Sequence, residues 1–168
     1  MLNVGTDAID NWVLVTGVIR SGTTFIGKIL SLPLEVDYIH EPFNTGCGMP
    51  GMDRRYRYVR PSLDTAEMQR LHDRTTDLLD YDVSLQTVYY GDDPLYRNLA
   101  KWLVGSRGPF YLRLAKANPF HTAAVLKDPT ASMMAKYLHE RFEVRPVVVI
   151  RHPVSLVASF RRLDWWPT

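Results

Sequence analysis

The sequence lacks most of the features that would mark a secreted, membrane-spanning or nucleic-acid-binding protein. It has one cysteine, Cys47, so no disulfide can form within the chain, and we expect a reducing compartment, the cytoplasm. No apolar run is long enough to span a bilayer, and the N-terminal residues do not resemble a signal peptide. The net charge of +2 is too small to favour nucleic acid, although it suits a small anionic ligand.

The composition is that of one folded unit. With 168 residues, of which 46% are hydrophobic, the chain can bury a single core, and the 23% of charged residues argues against disorder. We therefore predict one domain over residues 1–168, with a helical insertion at about residues 62–118. The sequence contains no internal repeat and no low-complexity segment.

Short apolar runs alternate with segments of helical periodicity. The alternation predicts a parallel sheet flanked by helices, an α/β fold. We expect residues 12–16 to form a central strand covered on both faces, and the run RPVVVI to form a second buried strand. The predicted strands are residues 12–16, 36–39, 122–126 and 145–150, and the predicted helices are residues 23–32, 64–80, 95–104, 109–116, 132–142 and 154–163.

Polar or phosphate-directed residues follow all four predicted strands. Ligands of open parallel sheets bind at the carboxyl ends of the strands, where these residues would meet. They are the segment 17–24, Glu41, Lys127 and Arg151. This coincidence predicts one ligand site at that edge of the sheet.

A glycine-flanked segment, the 17–24 loop, lies between the first strand and the first helix. It reads GVIRSGTT, and Gly17 and Gly22 have the spacing of the phosphate-binding loop of nucleoside triphosphatases. Thr23 stands where those enzymes have their phosphate-binding lysine. The loop can still bind phosphate, because glycines allow a tight turn and the helix N-terminus supplies free N–H groups and a positive dipole end. With Arg20 as its cation, the loop predicts a nucleotide other than ATP.

A second phosphate-directed pair follows the last predicted strand. Arg151 ends the apolar run, and Ser159 comes eight residues later, about two turns into the next helix. Such a pair can hold a phosphate that is not part of a triphosphate chain. The same two residues could instead be an arginine in a surface ion pair and a serine on the face of a helix. A nucleoside triphosphatase would instead place an Asp after this strand to hold magnesium. The loop has no lysine and the last predicted strand is not followed by an Asp, and both differences from nucleoside triphosphatases predict a site that binds no metal.

With these elements in this order, the sequence resembles the PAPS-dependent sulfotransferases, in which the donor is 3′-phosphoadenosine 5′-phosphosulfate (PAPS). The resemblance covers roughly residues 12–165, with the middle region unconstrained. It implies a three-layer fold like that of P-loop nucleoside triphosphatases, continuing beyond residue 168, since domains of this family are longer. It also implies that the RSGTT element binds the phosphosulfate and that the R-x7-S pair binds the 3′-phosphate. The implied donor-binding residues are Arg20, Ser21, Gly22, Thr23, Thr24, Arg151 and Ser159.

The resemblance also suggests the acceptor side of the site. The HEPF segment at residues 40–43 resembles the element that supplies the general base in carbohydrate-type members, which implies Glu41 as base and a sugar hydroxyl as acceptor. Arg20 would neutralise charge on the leaving phosphate. His40 competes with Glu41 as base, because neighbouring residues in an extended segment point to opposite sides. Lys127, in a segment resembling bacterial members, would contact donor or acceptor, or else reach solvent.

Two other functions remain open from the sequence. One is a nucleoside kinase or triphosphatase with a degenerate loop, and the other is a truncated nucleotide-binding module without catalytic activity. The basic and aromatic run RRYRYVR at residues 54–60 would suit an anionic or glycan acceptor, but we expect it to be a solvated loop. The histidines show no metal-ligand spacing, so we expect no metal.

Overall fold

The computed structural model describes residues 9–59 and 65–164. Its strands are β1 (Asn11–Gly17), β2 (Val36–His40), β3 (Ala123–Lys127) and β4 (Arg145–Val149). Its α-helices are α1 (Thr23–Leu30), α2 (Ala66–Leu79), α3 (Leu95–Val104), α4 (Arg107–Ala117), α5 (Ala135–Phe142) and α6 (Pro153–Arg162), and a 3-10 helix spans Pro129–Met134. Three of the helices, α2 to α4, lie between β2 and β3.

The four strands form one parallel sheet in the order β2–β3–β1–β4. β1 is therefore an inner strand, paired with β3 on one side and β4 on the other. The chain moves from β1 to one half of the sheet for β2 and β3, and then crosses to the other half for β4. Ligands of such sheets bind at the carboxyl ends of the strands, where the strand order reverses. In this protein that position is occupied by the 17–24 loop, directly after β1.

Alternate side chains of the strands enter two apolar clusters on opposite faces of the sheet. Leu14, Ile39 and Leu126 are fully buried on one face, in the cluster that also holds residues of α2 and α5. Val15 and Val125 lie on the other face, against residues of α1 and α4. Each fully buried leucine or isoleucine contributes about 1.5–3 kcal/mol. The predicted α/β fold, with a parallel sheet flanked by helices, is confirmed.

The prediction that residues 145–150 form a buried strand is wrong in its burial. β4 forms as expected, but Val148 is 57% exposed and Ile150 is 88% exposed. An apolar run predicts burial only where neighbours cover both faces and both edges. In the described ranges β4 pairs with β1 alone, so it is the edge of the sheet.

Two helix predictions also change. The segment predicted as one helix over residues 132–142 begins earlier, as a 3-10 helix, and becomes α-helical only at Ala135. The N-cap of α2 is Thr65, whose side chain accepts a hydrogen bond from the N–H of Met68. Asp64, where the predicted helix begins, lies outside the described residues. None of the helices in the described ranges combines the length and the apolar character that a membrane span requires.

Candidate functional site: a basic cleft at the carboxyl edge of the sheet

A cleft of about 1180 Å³ opens at the carboxyl ends of the strands. It collects side chains or backbone from the loops after all four strands, as the sequence predicted for this edge of the sheet. The predicted site residues that line it are Arg20, Gly22, Thr23, Thr24, His40, Glu41, Lys127 and Arg151. Ser21 and Ser159 are not part of the lining.

Backbone conformations that favour glycine shape the 17–24 loop. Gly17 has φ 144°, and a Cβ built on it would lie 2.3 Å from the carbonyl oxygen of Val149 in the neighbouring strand. Gly22 has φ 104°, and a Cβ there would meet no atom within 4 Å. Gly17 therefore allows β1 and β4 to stay paired at the loop, while Gly22 leaves the backbone open to close approach. Arg20 also adopts a positive φ, 70°.

The loop ends at the N-terminus of α1, which has no side-chain cap. The first N–H groups of a helix have no acceptor within the helix, so those of Thr23 and Thr24 are available to a ligand. The side chain of Thr23 is buried and that of Thr24 is half-buried, and both residues line the cleft. This end of α1 is thus a set of anion-directed donors at the carboxyl edge of the sheet.

Two arginines and a serine meet beside the loop. Arg151 Nη1 donates to the carbonyl oxygen of Arg20 at 3.0 Å, and Arg20 Nε donates to Oγ of Ser159 at 3.3 Å. The pairing of β4 with β1 produces this meeting, because it places the carboxyl ends of both strands side by side. Neither arginine forms an ion pair with a carboxylate in the described part of the chain. Their charges are therefore available to an anion.

Ser21 differs from the other loop residues. It is 8% exposed, and its hydroxyl is buried without a hydrogen-bond partner among the described residues. A Cβ on Gly17 would lie 3.2 Å from that hydroxyl, which places the Ser21 side chain against the end of β1. The side chain expected to bind donor thus packs within the loop.

Glu41 lines the cleft and is held by three neighbours. Lys127 Nζ forms an ion pair with its Oε1, and Asn44 Nδ2 donates to its Oε2 at 2.7 Å. The thiol of Cys47 lies 3.7 Å from the same Oε2. Burial raises the pKa of Glu41, but Lys127 and Asn44 outweigh burial and hold it below its ordinary value. Glu41 is therefore ionised at neutral pH.

His40 lines the same cleft as Glu41, although neighbouring residues of a regular strand would point to opposite sides. β2 ends at His40, and Glu41 adopts a left-handed φ of 50°, which interrupts the alternation of side chains. His40 Nδ1 lies 3.0 Å from the hydroxyl of Tyr38, and its Nε2 lies 3.9 Å from Glu41 Oε1. Burial, with the charge of Lys127, lowers the pKa of His40 to about 4. His40 is neutral at neutral pH.

A buried carboxylate, that of Asp128, connects the segments that follow β2 and β3. Asp128 is fully buried and accepts hydrogen bonds from the N–H of Phe43 at 2.7 Å and from Thr130, through its N–H at 2.8 Å and its hydroxyl at 2.6 Å. It thereby joins the segment after β2 to the segment after β3. Burial raises the pKa of Asp128 to about 6 despite these bonds. Asp128 does not line the cleft.

Several residues that line the cleft were not assigned to the site from the sequence. Arg55 and Tyr56 line the cleft, whereas Arg54 and Arg57 of the same run pair with Asp53. Arg55 and Tyr56 are exposed, as expected of a solvated loop, and they also line the cleft; the expectation fails at Val59, which is 2% exposed. The alternation of basic and aromatic letters was the only signal. The other unpredicted lining residues include Lys28, Asn44, Arg107 and Tyr111, and no motif marks these four.

The described residues contain no group of three or more His, Cys, Asp or Glu side chains placed to hold a metal ion. Comparison of the chain with protein-family models, with curated proteins and with solved structures gave no match.

Proposed function

We propose that this cleft is the active site of a sulfotransferase, which moves a sulfuryl group from PAPS to a hydroxyl of a carbohydrate. One observation carries the proposal. A helix N-terminus lies on one side of the cleft with two arginines that form no ion pair in the described ranges, and an ionised carboxylate, Glu41, lines the same cleft. Anion-binding groups beside a base are what transfer of an anionic group to a hydroxyl requires.

The donor half of the cleft fits the phosphates of PAPS. The open backbone at Gly22, the first N–H groups of α1 and the guanidinium of Arg20 would hold the phosphosulfate. Arg151, next to Ser159 through Arg20, would hold the 3′-phosphate. Two cations, Arg20 and Arg151, together with the backbone donors of α1, suit a ligand that carries two phosphate groups.

The chemistry is a direct transfer, for which the donor supplies the sulfuryl group. The acceptor hydroxyl gains the bond to sulfur, the bond from sulfur to the bridging oxygen breaks, and Glu41 takes the hydroxyl proton. Lys127 keeps Glu41 ionised and places a positive charge beside it. Arg20 and the N–H groups of the 17–24 loop neutralise charge on the phosphate that leaves. His40, neutral and 3.9 Å from Glu41, is the second candidate for the base.

The kinase or triphosphatase alternative finds less support at this site. An Asp does follow β3, but the oxygens of Asp128 are bonded to Phe43 and Thr130, and the residue does not line the cleft. The strand-end residue that does face the cleft from β4 is Arg151, a cation. Neither position offers a carboxylate oxygen for magnesium in the manner of those enzymes.

A nucleotide-binding module without transfer activity is favoured by a different observation. Both carboxylate oxygens of Glu41 are already engaged, one by Lys127 and the other by Asn44. A base must lose part of that engagement to accept a proton from an acceptor. If the two contacts persist when ligands bind, the cleft holds a nucleotide and catalyses nothing.

Turnover with labelled donor separates these functions. The protein is incubated with PAPS labelled in its sulfur and with a pool of oligosaccharides in the presence of EDTA. The labelled saccharide and the released product of the donor, 3′-phosphoadenosine 5′-phosphate (PAP), are then measured. We expect transfer, and a loss on the order of 10²–10⁴-fold in Glu41→Gln. Glu35→Gln, at the opposite end of β2, is the matched control and should remain active. PAP binding without transfer would support the non-catalytic module, and donor binding that EDTA abolishes would contradict the proposal.

A further inference from the structure

We propose that the acceptor is an anionic saccharide, which carries a carboxylate, sulfate or phosphate group near the hydroxyl that reacts. The inference rests on the proposed function and extends it to the class of acceptor. It depends on how positive charge is distributed between the two halves of the cleft.

The sheet order divides the cleft. The 17–24 loop and Arg151 follow β1 and β4, which are neighbours, so the donor groups occupy one half. His40, Glu41 and Lys127 follow or end β2 and β3, which form the other half. The proposed base therefore lies on the side away from the phosphate-binding groups. An acceptor must occupy the β2–β3 half to reach it.

Two arginines border this acceptor half. The N–H of Tyr56 donates to the carbonyl oxygen of Thr130 at 3.1 Å, which fixes Arg55 over the segment that follows β3. Arg107 begins α4, where a Cβ on Gly108 would lie 3.5 Å from the carbonyl oxygen of His40. The start of α4 thus abuts the end of β2.

The cations of the acceptor half have no counterions of their own. In the described ranges neither Arg55 nor Arg107 forms an ion pair with a carboxylate, and Lys28 lies 5.4 Å from the ring centre of Tyr111 rather than beside an acid. Arg54 and Arg57, by contrast, are paired with Asp53 or Glu67. Among the residues that the structure describes, Glu41 is the one carboxylate that lines the cleft, and Lys127 already neutralises it.

The positive field reaches the proposed reaction centre. Arg107 and Lys28 both contribute to the lowered pKa of His40, after burial and Lys127. A neutral sugar would gain little from such a field. An anionic acceptor must approach a donor that is itself strongly anionic, and unpaired cations in the acceptor half offset that repulsion. The rings of Tyr56 and Tyr111 line the same cleft and can pack against a sugar ring.

Saturation-transfer NMR on protein saturated with PAP tests the inference, because PAP blocks the donor half. The probes are glucose, glucuronate, glucose 6-sulfate and glucose 6-phosphate, each at millimolar concentration. We expect binding of at least one anionic sugar and weaker binding of glucose. Arg55→Ala and Arg107→Ala should each weaken anionic-sugar binding about ten-fold, as the loss of a hydrogen bond to a charged group does. Arg54→Ala, a neighbouring arginine outside the cleft, should bind as the parent does.

The possible results distinguish failure of the inference from failure of the proposed function. Equal binding of glucose and the anionic sugars, absence of binding by all four, or unchanged affinity in both Arg55→Ala and Arg107→Ala would overturn the inference. PAP binding, measured first by calorimetry, reports on the proposed function separately. If PAP does not bind, the function and the inference both fail; if PAP binds without preference for anionic sugars, only the inference fails. Circular dichroism checks that the variants, altered at exposed residues, remain folded.

Discussion

Replacing Lys127 by methionine should destabilise the protein and release Glu41 from its ion pair. The Lys127 side chain is 4% exposed and that of Glu41 is 17% exposed, so the pair is mostly removed from water. Methionine keeps the apolar stem and removes the ammonium. Loss of one partner of a buried pair costs about 3–5 kcal/mol. Because Glu41 keeps some exposure and its bond from Asn44, we expect about 2–4 kcal/mol here.

A double-mutant cycle in urea at neutral pH measures the interaction. Glu41→Gln alone leaves the buried ammonium without its counterion, whereas Lys127→Met with Glu41→Gln leaves neither charge. The double variant should therefore be more stable than the sum of the single effects predicts, by about 2 kcal/mol. Lys136→Met is the control, since its ion pair with Glu140 is solvent-exposed and should contribute less than about 1 kcal/mol. Additive effects at residues 41 and 127 would refute the reasoning.

The pH dependence of folding stability tests the same ion pair and has a predicted direction. The pKa of Glu41 is lowered in the folded state, so its stabilising contribution is present above the ordinary carboxyl pKa and is lost as pH falls through the folded value. Glu41→Gln should lack that loss on the acid side. In Lys127→Met the charge that chiefly offsets the burial of Glu41 is removed, so the pKa of Glu41 should rise and can be followed by NMR titration.

Further outcomes follow from other parts of the cleft. Gly17→Ala should destabilise the fold by more than about 2 kcal/mol in urea unfolding, because a Cβ at φ 144° would lie 2.3 Å from the Val149 carbonyl oxygen; an unchanged midpoint would contradict the loop geometry. Burial and the charge of Glu41 raise the pKa of Cys47 to about 12, so iodoacetamide should alkylate it far more slowly at neutral pH than after unfolding; equal rates would show that the thiol is free. Because burial raises the pKa of Asp128 from 3.8 to about 6, its ionisation should lower stability as pH rises through that interval, and the slope should be absent in Asp128→Asn; identical slopes would exclude this assignment.

Sequence patterns predicted the elements that local composition determines. Each of the four apolar runs forms a strand, and the 17–24 loop connects β1 to α1 as its glycines indicate. The alternation of strands and helices was enough to place Lys127, Glu41 and Arg151 at one edge of the sheet, where all three line one cleft.

The remaining features depend on contacts between distant segments. The burial of β4 could not be predicted from its own residues, because burial depends on which strands pair with β4. The side-by-side placement of His40 and Glu41 depends on one left-handed residue, and no glycine marks that position. Arg55 and Arg107 are 52 positions apart in the chain and meet at the cleft only because the segments carrying them pack against the ends of β3 and β2.

The central claim is that this cleft recognises a nucleotide with a 3′-phosphate through Arg151. Calorimetry with PAP and with 5′-AMP, which lacks that phosphate, tests it directly. We predict that PAP binds at least about ten-fold more tightly than 5′-AMP, and that Arg151→Ala removes the difference while leaving 5′-AMP affinity unchanged. Arg145→Ala, at the opposite end of β4, should bind both ligands normally. Equal affinity for the two nucleotides, or a preference for PAP that survives in Arg151→Ala, would contradict the claim.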